Sequence, residues 1–236
     1  MAQLVFSGNL LASPTPLVVG VISTAEILRA IAASPPTEAD CDLIELRLDT
    51  LQLPATELRD LAVSLKKPLL FTARHPDEGG QGGLNAAQRA SLLEANLDLA
   101  TLIDIELRSA LDMQALIRKA QAKGVQVLGS FHDFNLTPHP DILNGAIDMG
   151  IQFRLNAVKI ATTLRGPADL ATLINILAAP KRLPLSVMGM GALGRASRLA
   201  LAHSGSILNY GFLGASNAPG QWPARRLREM IHEAAA

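Results

Sequence analysis

Strand-length apolar runs alternate with helix-length runs from Leu17 onward, and the alternation repeats eight times. The strand-like runs are Leu17–Ile22, Leu43–Leu48, Pro68–Arg74, Leu102–Leu107, Val125–Phe131, Ala157–Thr162, Leu185–Met188 and Ile207–Phe212. Helices are predicted between and after them, the first capped by Ser23 or Thr24 and the last spanning Pro223–Ala235. Alternating βα units dictate a parallel sheet, and eight of them can close into a (β/α)8 TIM barrel. An open doubly wound sheet usually has fewer strands and a glycine-rich turn after the first, where this chain has Ser23–Thr24. Leu4–Phe6 and Leu10–Ala12, flanking Ser7–Gly8–Asn9, predict a β-hairpin ahead of the barrel. No Pro/Ser/Gly-rich linker divides the units, so residues 1–236 are expected to form one α/β domain.

Composition narrows the partners. Lys+Arg and Asp+Glu both number 21, which removes the basic excess that nucleic acid or an anionic membrane would select. Neither uncharged stretch, 1–25 or 199–224, supplies the continuous apolar run of a spanning helix, and no basic segment precedes the first. A cytoplasmic protein is expected. The lone Cys41 excludes an internal disulfide, and no His/Asp/Glu spacing resembles a metal site.

Unusual polar residues fall at strand C-terminal ends, where barrel enzymes build their sites. Glu45, Arg47 and Asp49 alternate at the end of the second run, and Thr72 and Arg74 at the end of the third, with Glu78 in the loop beyond. Asp104 and Glu106 follow on the fourth, Ser130 and His132 on the fifth, and Lys159 stands alone in the apolar sixth. A lysine taken out of water tends to lose its proton, and the neutral amine is a nucleophile toward ketones. With His132 as a base, imine chemistry is the expectation, and the imine itself would be the electron sink, so no metal or cofactor is called for. Snorkelling is the bland alternative for Lys159, and structural pairing with arginines is the bland alternative for Asp104 and Glu106. Arg47, Arg74 and Arg198 suit a small, oxygen-rich carboxylate, and their charge would also favour an unprotonated Lys159.

Gly189–Met190–Gly191–Ala192–Leu193–Gly194 fits the dinucleotide fingerprint G-x-G-x-x-G. It lies in the seventh unit, however, and the next acidic residue is Glu229, far beyond the expected spacing. It is read as a decoy.

Taken in order, these residues resemble the type I 3-dehydroquinate dehydratases over essentially the whole chain. The matching pieces are Glu45-x-Arg47-x-Asp49, Thr72-x-Arg74-x-x-x-Glu78-Gly79-Gly80, Asp104-x-Glu106, Ser130-Phe131-His132-Asp133-Phe134, Val158-Lys159-Ile160-Ala161, Met190-x-x-x-Gly194-x-x-Ser197-Arg198 and Ala218-Pro219-Gly220-Gln221. The resemblance implies a homodimeric barrel that converts 3-dehydroquinate to 3-dehydroshikimate plus water. It implies Lys159 as the imine former, His132 as the base and Glu78 as the residue that orients His132. It also implies Glu45, Arg47 and Arg74 around the ring oxygens, Arg198 on the carboxylate, and Gln221 closing over the substrate. Two positions depart from the family pattern: Asn217 stands where serine usually precedes Ala-Pro-Gly-Gln, and Gly20 where some members place a substrate-contacting serine. Asn217 could still donate to a carboxylate. A class I aldolase and a ligand-binding barrel without turnover are the competing readings.

Overall fold

The computed structural model describes residues 10–180, 183–215 and 220–235. Strand β1 (Leu17–Ile22) leads to α1 (Ala25–Ala33), and the Thr24 side chain caps that helix by accepting from Ile27 N at 3.2 Å. Then come β2 (Leu43–Arg47), a short helix α2 (Leu48–Leu51), α3 (Ala55–Ser64) and β3 (Leu69–Thr72). They are followed by α4 (Ala86–Ala95), β4 (Leu102–Glu106), α5 (Gln114–Ala122), β5 (Gln126–Asp133) and α6 (Pro140–Gln152). Next are β6 (Ala157–Thr163), α7 (Pro167–Ala178), β7 (Leu185–Met190), α8 (Gly194–His203), β8 (Leu208–Phe212) and α9 (Ala224–Ala235).

All paired strands are parallel, in the order β7-β6-β5-β4-β3-β2-β1-β8, and they curl into a nearly closed (β/α)8 barrel. At the β7–β8 seam, Ile207 N donates to Leu185 O at 2.9 Å and Ser186 Oγ to Leu208 O at 2.7 Å. Side-chain hydroxyls thus take over positions that ladder bonds fill elsewhere. Leu10–Ala12 forms a 3-10 turn rather than a hairpin arm, with Leu11 packed into the barrel interior; the other expected arm lies outside the described residues.

Side-chain alternation sorts the strands into two cores. Val18, Ile44, Phe71, Ile103, Val127 and Val158 face the helices, while Val19, Leu43, Leu70, Leu102, Leu128 and Ala157 fill the barrel. Two and four residues further along each strand, the inward positions become Glu45, Thr72, Asp104, Ser130, His132 and Lys159. An apolar floor therefore carries a polar upper storey. The same alternation corrects the expectation for Gly20. A Cβ there would lie 2.6 Å from Leu213 Cδ1 and 3.0 Å from Cys41 Sγ, on the helix side, so no side chain at 20 reaches the barrel mouth. Val21 is the β1 residue that faces it.

Candidate active site

The polar storey opens into a cavity of about 150 Å³ at the C-terminal end of the strands. Glu45, Arg47, Arg74, Glu78, His132, Lys159, Arg198 and Gln221 all line it. Asn217, expected among them, lies outside the described residues, as do 216, 218 and 219.

Lys159 is 5% exposed, its Nζ 4.1 Å from the centroid of the Tyr210 ring and 3.6 Å from Asp104 Oδ2. Its pKa is lowered chiefly by burial; Arg74 and Arg47 push the same way, while Glu45 and Asp104 resist. Desolvation therefore leads, with two of the three arginines assisting. Asp104 is shared with closer partners. Arg74 grips it with Nη1–Oδ1 at 2.9 Å and Nη2–Oδ2 at 2.8 Å, and Ser130 Oγ donates to Oδ1 at 2.6 Å.

His132 stands on β5 beside β6, where Ser130 is in register with Lys159 and His132 with Ala161. The imidazole is thus one pleat repeat above the amine on the neighbouring strand. Glu78 ends a 3-10 turn (Pro76–Glu78), and its Oε2 lies 2.8 Å from His132 Nδ1 and accepts from His132 N at 3.2 Å. Gly79 then takes φ +82, and a Cβ there would meet Phe134 Cζ at 2.8 Å. Only glycine lets the chain leave Glu78 while Phe134 covers the turn. Burial pushes the Glu78 carboxyl up to about 7, with Glu106 and Asp104 adding repulsion and Arg74 opposing. Burial, then Arg74, Lys159 and Arg47, hold His132 well below the usual histidine range, so it is a neutral imidazole.

The three cavity arginines differ in what they have left to offer. Arg74 is bound to Asp104, to Glu106 Oε1 at 2.9 Å and to Ser130 Oγ at 2.6 Å. Arg47 forms a two-point pair with Asp49, Nε–Oδ1 at 2.9 Å and Nη2–Oδ2 at 2.8 Å. Among the described residues, Arg198, 3% exposed, donates only to backbone oxygens, those of Tyr210, Gly189, Gly194 and Gly220. Burial without a carboxylate pulls its pKa down to about 10. A buried cation with no protein anion is a receptor for a ligand's anion.

The glycine fingerprint is explained by packing. Arg198 Nη1 would lie 3.2 Å from a Cβ on Gly194, and Ser197 Oγ 2.6 Å from one on Gly189. The glycines admit the α8 side chains that face the barrel.

Two site residues, Arg89 and Tyr210, lie outside the sequence expectations. Arg89, on α4, reaches inward to bond Glu106 Oε2 at 2.5 Å and so anchors the acid that braces Arg74. No local pattern separates it from a surface helix arginine. Tyr210 shares the inward face of β8 with Leu208, a period-two signal that was present in the sequence.

Among the described residues, no group of three or more His, Cys, Asp or Glu side chains is disposed to hold a metal, and no helix is long and apolar enough to cross a membrane.

A nearly closed (β/α)8 barrel with a desolvated lysine and a carboxylate-tied imidazole in one mouth has the makings of an imine-forming barrel enzyme. The family model for type I 3-dehydroquinase matches residues 18–235, and the chain belongs to that family. It is 31% identical over 196 residues to the 3-dehydroquinate dehydratase of Thermodesulfovibrio yellowstonii, covering 81% of this chain and 83% of that one. The crystal structure of 3-dehydroquinate dehydratase from Geobacillus kaustophilus is similar with a TM-score of 0.83 and 26% identity, over 94% of this chain and 92% of that one. A type I 3-dehydroquinate dehydratase from Clostridium difficile, solved with covalently modified comenic acid, matches with TM-score 0.83 and 25% identity, over 94% and 93%.

Proposed function

We propose that this chain is a hydro-lyase that converts 3-dehydroquinate to 3-dehydroshikimate and water through an imine on Lys159. The observation that carries the reading is the pairing, in one cavity, of a buried Lys159 with His132 held by Glu78. The Lys159 Nζ lone pair attacks the ketone carbon, and the carbinolamine loses water to give the iminium. His132 Nδ1 is engaged by Glu78, which leaves Nε2 to take a proton from the carbon between the iminium and the leaving hydroxyl. The electrons return as an enamine, which expels the hydroxyl as His132 gives its proton back, forming water. Hydrolysis of the conjugated imine restores the lysine, so the net change is one water lost. Arg198 supplies the countercharge for the substrate carboxylate, Glu45, Arg47 and Arg74 wall the ring oxygens, and Gln221 closes over the substrate; Asn217 is the departure from the family pattern that would donate to the carboxylate.

Borohydride reduction in the presence of 3-dehydroquinate, read by peptide mass spectrometry, tests this. A reduced adduct on the Lys159 peptide is expected. A folded protein with no adduct would overturn the reading and favour another ketone, with aldolase substrates next in line. A protein that binds dehydroquinate tightly but yields no enone would be the non-catalytic barrel.

The Glu78–His132 pair fixes a pH dependence. Below about pH 7 Glu78 is protonated and donates to Nδ1, which puts the imidazole proton on Nε2 and removes the base. Above it, the carboxylate accepts from Nδ1–H and Nε2 is free. Activity is therefore expected to rise with pH through about 7. Glu78→Gln is expected to lower kcat by about 10- to 100-fold, part of what a positioned base supplies, and to abolish that rise. An unchanged kcat–pH profile would remove Glu78 from its assigned role.

Residues 1–236 are read as one domain, because all eight strands belong to one sheet. A cytoplasmic homodimer is proposed with it; exposed Ile142 and Met149, one above the other on α6, offer an apolar contact face. Sedimentation equilibrium is expected to give twice the 25.0 kDa chain mass. A monomer at micromolar concentration would refute the dimer.

A further inference from the structure

Tyr210 raises a question that the imine mechanism leaves unanswered. It is 3% exposed, it lines the cavity, and its buried hydroxyl has no hydrogen-bond partner among the described residues. Buried phenols ordinarily find a partner, because an unpaired hydroxyl in a low-dielectric interior is costly. Phenylalanine would fill the same space and support the Lys159 ammonium equally well through its ring face. The ring alone therefore does not account for the hydroxyl.

Its surroundings say what it can do. Burial, followed by Glu45 and Asp104, drives the phenol pKa well above the ordinary tyrosine value, with Arg74 opposing. The group is a neutral donor throughout the working pH range, neither an acid nor a base catalyst. Its position limits the acceptor. Lys159 Nζ lies 4.1 Å from the centroid of the ring that bears the hydroxyl, so a ketone captured on Nζ brings the attacked carbon and the substituents of its neighbours close to the phenol. The ketone oxygen leaves as water when the imine forms, so it cannot satisfy the phenol through the cycle. A substituent on the neighbouring carbon can.

We propose that the Tyr210 hydroxyl is a substrate-positioning donor, bonding the ring hydroxyl on the carbon adjacent to the imine carbon. This rests on the dehydroquinate reading above. It assigns Tyr210 the specificity for a hydroxylated ring beside the ketone.

The test compares wild type with Tyr210→Phe on 3-dehydroquinate and on its analogue lacking that hydroxyl. With 3-dehydroquinate, the variant is expected to raise KM about 5- to 10-fold, the loss of one neutral hydrogen bond, with little change in kcat. Its melting midpoint is expected to equal or exceed wild type, since an unpaired hydroxyl has been removed. With the deoxy analogue, the two enzymes are expected to have the same KM. A purely structural role would move both substrates together. Equal KM values on 3-dehydroquinate, or a gap that persists on the analogue, would overturn the assignment to Tyr210. A wild-type enzyme inert toward 3-dehydroquinate would instead overturn the underlying reading, and this one with it.

Discussion

Lys159→Ala is expected to lower turnover of 3-dehydroquinate by about 10⁴-fold or more, the scale of losing a covalent nucleophile, and to abolish the borohydride adduct. The protein should remain folded. Asp104, the carboxylate nearest the amine, keeps Arg74 and Ser130, and the buried Glu45 keeps the Thr72 hydroxyl at 2.6 Å, so each acid facing the amine retains a partner after the substitution. It also removes a cation whose burial is already unfavourable. Arg198 is untouched, so the variant is expected to bind dehydroquinate still, as ligand-induced shifts in melting would show. Folding and binding without turnover would place the defect in chemistry. Near wild-type activity, or an adduct on another lysine, would refute Lys159 as the imine former.

Much of this site could be read from the sequence because barrel strands enforce period two. Glu45, Arg47, Arg74, His132 and Lys159 were found by alternation and strand-end position, and the structure gathers all five around one cavity. Asp104 and Glu106, allowed a purely structural role, do pair with Arg74 and Arg89. Glu78 was different. It lies in a loop, 54 residues from the histidine it bonds, and local pattern carries no trace of such a contact. Only the resemblance pointed to it. Arg89 was invisible for the same reason, since its partner sits on a strand that its own helix precedes. The misplaced expectation at Gly20 has another cause. A shift of one residue along a strand exchanges the barrel face for the helix face, so a likeness in composition there decides nothing without register. The short α2 helix was also missed: Leu48 and Asp49 continue the strand's alternation in sequence, but the chain turns after Arg47 and brings Asp49 back onto that guanidinium.

His132→Ala separates proton transfer from imine formation, and its expected result differs in kind from that at Lys159. Turnover is expected to fall by about 10²- to 10⁴-fold, the usual contribution of a positioned acid–base group. The amine remains desolvated and nucleophilic, because burial rather than the imidazole leads its shift. The Lys159 imine is therefore expected to form and to trap. With the proton abstraction blocked, the reduced adduct should carry the mass of undehydrated dehydroquinate, whereas wild type should also show the dehydrated product. The residual activity should lose its rise through about pH 7, since that rise reflects Glu78 handing the Nε2 position of His132 its lone pair. Glu78 in the variant keeps the backbone donor His132 N, so the turn that carries it stays tethered to β5. A variant with more than a tenth of wild-type kcat, or one whose trapped adduct is mainly dehydrated, would show that another group moves the proton. Glu78, whose carboxyl burial pushes up to about 7, would then be the base to test.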